Sequence, residues 1–141
     1  MWTTAYSGTT ELAPAEVWLA LRKLHTGELT YDGADVFEAH GPFAIGTELS
    51  VTPVGQQTMT STIVELVENE RYADTTTFGG LSLLFRHTLE PSGTGTAVTH
   101  TLEIAGEDAD DVGPELGPQI SGDFPATMAA LFEQAALLAA K

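Results

Sequence analysis

A strand, a short helix, a long run of strands and one long closing helix follow each other along this chain, and that order restricts the fold severely. From Phe124 to Lys141, the residues Phe124, Met128, Leu131, Phe132, Ala135 and Leu138 recur on one side, at the spacing of an amphipathic helix. A lone long helix has to hide such a stripe, and the sheet made by the preceding strands is the only large surface on offer. At ~1.5 Å per residue the helix is roughly 27 Å long, and a nine-residue strand at ~3.3 Å per residue is about 30 Å. The helix can therefore lie along the whole sheet. The pattern predicts an α+β fold in which a curved antiparallel sheet wraps the C-terminal helix. Such a wrap leaves a hollow, and function turns on what fills it.

The opening strand spans about residues 2–10. A helix follows at 14–24, with Pro14 in its first turn and Val17, Trp18, Leu21 and Leu24 at helical spacing. Arg22, Lys23 and His25 close it, where positive charge suits the helix dipole. Residues 26–34 read as a polar turn. Strands are expected at 35–40, 47–53, 58–67, 71–78, 81–90 and 96–105, with turn residues between them, most clearly Gly79-Gly80 and Pro91-Ser92-Gly93-Thr94-Gly95. Strands this close in sequence pair as an antiparallel meander. Residues 106–118 hold Glu107, Asp108, Asp110, Asp111, Gly113, Pro114, Gly117 and Pro118, and read as an exposed acidic crossover.

The chain has 141 residues, 43% of them apolar, which suits one domain over 1–141 that buries roughly 68–70% of its unfolded surface. No apolar run approaches the ~18 residues of a membrane span, and Met1-Trp2-Thr3-Thr4 lacks the basic and apolar blocks of a secretory leader. Cysteine is absent, which removes disulfides, thiolate metal sites and cysteine nucleophiles. The cytoplasm is the default location. The net charge of −15 repels nucleic acid and anionic membranes. It leaves a homodimer open.

Two strands carry single histidines on otherwise apolar faces. Leu81, Leu83, Phe85, His87 and Leu89 share one face, and Val98, His100, Leu102 and Ile104 share another. If the short turn brings Glu90 near Gly95, the two imidazoles become neighbours. Buried imidazoles there can hydrogen-bond a ligand or move a proton near neutral pH; the plain alternative is core histidines satisfied by the backbone. Arg86 faces the other side, where Glu65 or Glu103 can pair with it. Tyr72, Asp74, Thr76 and Phe78 share a face whose direction the pattern leaves open, so Asp74 is a weaker candidate acid. Asp108, Asp110 and Asp111 lack the Gly and Glu of a calcium loop, and the four histidines have no close-spaced zinc-ligand pair. Nothing in the pattern implies a cofactor.

The run Ala13-Pro14-Ala15-Glu16-Val17-Trp18, the turn Gly41 to Thr47, the strand Phe85 to Pro91, the hairpin Gly95 to His100 and the ending Gly106 to Leu131 resemble the START-like (SRPBCC) superfamily. Within it, the likeness is to the bacterial polyketide cyclase/dehydrase and lipid transport branch. The resemblance implies a helix-grip fold: seven antiparallel strands around a long C-terminal helix, with an internal cavity for a hydrophobic molecule. Its members include aromatic polyketide cyclases, lipid and sterol carriers and activators of a heat-shock chaperone's ATPase. On this reading the expected partner is a hydrophobic small molecule. Its site would be lined by Phe37, Tyr72, Leu83, Phe85, His87, His100, Leu102, Phe124, Met128 and Phe132. If the protein is an enzyme, His87 and His100 are its acid/base residues. A chaperone activator would instead use an exposed surface, the acidic crossover.

Overall fold

A computed structural model describes the backbone of residues 1–141 and every side chain except that of Phe78, so the expected placing of Phe78 on the face shared with Tyr72 lies outside the described residues. The elements are β1 (Trp2–Thr10), α1 (Pro14–Thr26), β2 (Val36–Ala39), β3 (Glu48–Thr52), β4 (Met59–Val67), β5 (Arg71–Phe78), β6 (Leu81–Ser92), β7 (Gly95–Ala105), α2 (Ala109–Ser121) and α3 (Phe124–Ala139). The strands form one antiparallel sheet in the order β1-β7-β6-β5-β4-β3-β2. Strands β2 to β7 thus run as a meander, and β1 joins the far side of β7. Both glycines of the β5–β6 turn have positive φ, 56° at Gly79 and 82° at Gly80, a geometry that tight hairpins require and side chains resist.

Helix α1 starts where the Ala13 N–H donates to Glu16 Oε1 at 2.9 Å and stops at Gly27 in the left-handed conformation. Its Val17, Trp18 and Leu21 join Leu49, Ile63, Tyr72, Leu89, Val98, Met128, Leu131 and Ala135 in one apolar cluster. A second cluster gathers Leu81, Leu83, Leu102, Ile104, Ala109 and Phe124, with Trp2 and Phe85 packed against it.

The expected acidic loop is a helix. In α2 the small residues Ala109, Gly113 and Gly117 are buried, and Val112, Leu116 and Ile120 pack against the second cluster. The acidic residues and both prolines, Pro114 and Pro118, lie on the exposed side, where water can take the carbonyls that proline leaves unpaired. The acidic residues thus stand on the exposed face of a helix rather than on a loop, while the small residues of the same helix are buried.

The convex face carries a compact ion network. Arg86 donates from Nε and Nη2 to Glu65, the latter at 2.6 Å, and from Nη1 to Glu103 at 2.7 Å. Glu65, Ala73 and Arg86 are consecutive in one row across the sheet, so the pair bridges over Ala73, which is fully buried. Arg86 serves the outside of the sheet, as its strand position predicts.

Candidate ligand site beneath the terminal helix

The two apolar clusters do not merge. Along β7, Val98 belongs to the first and Leu102 to the second; along β6, Leu89 and Leu83 divide in the same way. The residues at the seam are His100 and His87. They pair directly across the two strands, with ring centroids 4.4 Å apart and planes nearly perpendicular. The row extends to Tyr72 on β5 and Tyr6 on β1.

A third histidine joins them. His25 is expected to sit charged at the end of α1, but it is buried. Its ring lies 5.2 Å from that of His87, 4.4 Å from Tyr72 and 4.6 Å from Phe37. Its Nδ1 lies 2.7 Å from the Leu21 carbonyl; a carbonyl only accepts, so Nδ1 carries the proton and Nε2 of the neutral ring is a bare acceptor. The signal for this burial is in the sequence: Val17, Leu21 and His25 follow one another at four-residue spacing on the apolar stripe.

On β5 the direction left open is now resolved. Tyr72, Asp74 and Thr76 are buried on the side of the two clusters, and the Tyr72 hydroxyl donates to Asp74 Oδ2 at 2.7 Å. Burial raises the Asp74 carboxyl above its ordinary value, opposed by the attraction of His25 and by hydrogen bonds from Tyr72 and Ser61. Burial, and then the Asp74 charge, raises the Tyr72 phenol.

Both imidazoles at the seam are short of partners. His87 Nδ1 and His100 Nε2 are sealed from solvent without a hydrogen bond among the described residues. Burial lowers the pKa of His87 well below 6.5, with the other two histidines adding repulsion, and takes His100 down to about 4. His25 is lowered by burial too, against the pull of Asp74. All three rings are therefore neutral at neutral pH. An orphaned buried polar atom costs about 1–3 kcal/mol. Replacing His100 by Leu should accordingly raise stability at neutral pH by about 1–3 kcal/mol, read as a higher urea midpoint with an unchanged slope.

The expected lining residues divide between the two clusters. Leu83, Leu102 and Phe124 surround one side of the seam, Tyr72 and Met128 the other, and all five are buried. Phe124 also meets the His100 ring edge-on at 5.9 Å. Phe37, Phe85, His87 and Phe132 are only part-buried, which leaves surface uncovered beside the histidines. The two hollows that the described residues form most clearly are open at the surface: about 430 Å³ between Thr9–Glu11 and Ser92–Gly95, and about 210 Å³ between β1 and α3. The smaller one is lined by Tyr6, Gly8, Pro125, Met128 and Phe132, so it begins at the outer end of the row that leads to His100. At Gly8 an added Cβ would stand 2.6 Å from Met128 Sδ; glycine here lets the helix close on the strand. Among the described residues no group of three or more His, Cys, Asp or Glu is placed to hold a metal ion. No helix among them is long and apolar enough to cross a membrane.

No family model matches the chain, and no curated protein is similar to it in sequence. Solved structures are similar in fold. Norcoclaurine synthase of Thalictrum flavum, as a point mutant in complex with a transition-state analogue, superposes with a TM-score of 0.73 at 14% identity over 95% of this chain and 93% of that one. A protein of Thermus thermophilus gives 0.73 at 14% identity over 99% of each chain. Ara h 8.0201 gives 0.68 at 23% identity over 94% of this chain and 98% of that one. With the strand order, the gripped helix and these likenesses together, the chain has the helix-grip fold that these solved structures share.

Proposed function

We propose that this protein binds a small, largely apolar molecule between the sheet and α3, with His87 and His100 as its polar contacts. The observation that carries the reading is the pair of orphaned ring nitrogens at the seam of two apolar clusters. A protein selected for stability alone would place leucines there, because an apolar pair needs no partners. A polar group left unsatisfied inside a fold calls for an explanation, and a functional role is one. A guest with one hydrogen-bonding group in an apolar body satisfies both rings and gains burial on each side. A guest would enter by the groove between β1 and α3, which the part-buried Phe132 lines. Similarity in fold to a synthase holding a transition-state analogue is consistent with such a guest.

The test is a fluorescence titration with N-phenylnaphthylamine, an apolar probe that is uncharged at neutral pH and carries one N–H. Saturable binding is expected, weakened about tenfold when His87 and His100 are both replaced by Leu. Failure of the probe to bind, together with an empty organic extract of the purified protein by mass spectrometry, would refute the proposal.

A second reading makes one histidine a general base in the cyclisation or dehydration of a polyketide-like chain. It draws on two imidazoles facing each other at 4.4 Å, although the burial that lowers both pKa values also weakens them as bases. Replacing each by Ala separates the two readings: a carrier loses affinity, an enzyme loses turnover.

A further inference from the structure

Strand β1 lies at one end of the sheet and pairs only with β7. An edge strand presents a row of backbone N–H and C=O groups without partners, and among the described residues no main-chain hydrogen bond joins β1 to any other element. The two edges of this sheet differ. Strand β2 is four residues long and carries Glu38, the short, charged form that discourages pairing. Strand β1 is nine residues long, with no charge, no proline and no break in its register. Helix α2 sits against its first residue, Trp2, but Ala5, Tyr6, Ser7 and Thr9 are exposed.

A groove runs beside this open edge. Tyr6 stands opposite His100, which puts its ring on the face that α3 covers, yet it is 39% exposed. With Gly8, Pro125, Met128, Ala129 and Phe132 it lines the hollow of about 210 Å³ between β1 and α3. An exposed phenol ring next to an apolar hollow, both at the middle of a free strand, are the two halves of a self-complementary contact.

We propose that β1 pairs with β1 of a second copy, antiparallel about a twofold axis at Tyr6. That register sets Tyr6 opposite Tyr6 and Ala5 opposite Ser7. Directly opposite side chains share one face, so each Tyr6 comes to the groove of the other copy. Charge favours this occupant. A basic partner would be drawn to the acidic faces of a chain of net charge −15; residues 2–10 and 124–132, which border the groove, carry no charge and suit a partner as acidic as the chain itself. Nine strand residues and the four α3 residues of the groove are fewer than the roughly 20–30 per side of a standard interface. The pair is therefore weak, dissociating on the order of ten micromolar. It goes beyond the guest-binding reading and stands without it, although a paired copy covers the mouth proposed above.

Cysteine is absent from the chain, so one introduced thiol reports on one position. Directly opposite residues of an antiparallel pair have Cα atoms about 4.5–5.5 Å apart, within the roughly 4.4–6.8 Å that a disulfide spans. Under mild oxidation Tyr6→Cys should be linked into dimers about tenfold faster than Val54→Cys, an exposed position beyond β3 near the other edge of the sheet. Light scattering of the wild-type protein in about 0.5 M salt, which screens the repulsion, should rise from the mass of one chain toward two between about 1 and 500 µM. Tyr6→Glu sets like charges directly opposite each other and should stay monomeric. Equal linking rates at the two positions, a wild-type mass that stays at one chain or passes beyond two, or a Tyr6→Glu variant that still pairs overturns the proposal. The thiol rates and the wild-type mass decide even where Tyr6→Glu does not fold. None of these readouts uses a guest, so their failure leaves the binding site as it stands.

Discussion

Replacing Gly117 by Val should lower stability by about 3 kcal/mol and the melting temperature by roughly 10 °C. The reason is the seat of α2 on β1. A Cβ built at Gly117 lies 2.1 Å from Cζ3 and 2.2 Å from Cη2 of Trp2, and one at Gly113 lies 2.4 Å from the Trp2 Cβ. The indole is rigid and held between α2 and the sheet, so it cannot yield as a flexible side-chain end would. Helix and strand must part, which uncovers Val112, Leu116 and Ile120 from the second cluster. Thermal unfolding by circular dichroism reads the effect. Trp2→Leu in the same chain should recover part of the loss, since the two changes share one contact, whereas Glu115→Ala on the exposed side should change little. A melting temperature within about 2 °C of wild type for Gly117→Val would show that α2 is not seated on Trp2.

Acid should weaken the protein before its surface carboxylates titrate. His25, His87 and His100 have folded pKa values below the 6.5 they would have unfolded. Between those values the unfolded chain binds protons that the folded chain refuses, so stability falls as pH drops through the window. For His100 the window runs from 6.5 to about 4, which corresponds to roughly 3 kcal/mol. Asp74 and Asp35 act in the opposite direction, because burial raises both: the folded state takes their protons first and gains stability on acidification. Urea midpoints measured across the window should fall with pH in wild type. The slope should be shallower in His100→Leu by about 1.4 kcal/mol per pH unit, one proton's worth. Equal slopes in the two proteins would mean that His100 meets water in the folded state.

Why some of this is legible in the sequence and some is not follows from the residues concerned. The neighbouring histidines are legible because an apolar alternation with one polar member fixes which way that member points, and the turn between β6 and β7 fixes its partner. The turn is tighter than expected, pairing Ser92 with Gly95 and Glu90 with Ala97, yet it still sets His87 opposite His100. Helix α2 is hidden because two glycines and two prolines, each pair four residues apart, usually punctuate loops. Here the same spacing sorts them by face: the glycines go under Trp2 and the prolines go out to water. His25 is easily misplaced because a basic residue in a last turn has a ready electrostatic explanation, which masks its place on the Val17–Leu21 stripe. The direction of Asp74 is illegible because both faces of β5 are mixed, and only the neighbours on β4 and β6 decide between them.

Nitrogen NMR of the His87 and His100 rings, with and without saturating N-phenylnaphthylamine, probes the central claim at the atoms that carry it. If a guest lies beneath α3 against the seam, the resonances of His87 Nδ1 and His100 Nε2 should shift as their missing hydrogen bonds form, while exposed His40 stays where it was. Ring signals unchanged at full probe occupancy would place the guest elsewhere and leave the two imidazoles as core residues.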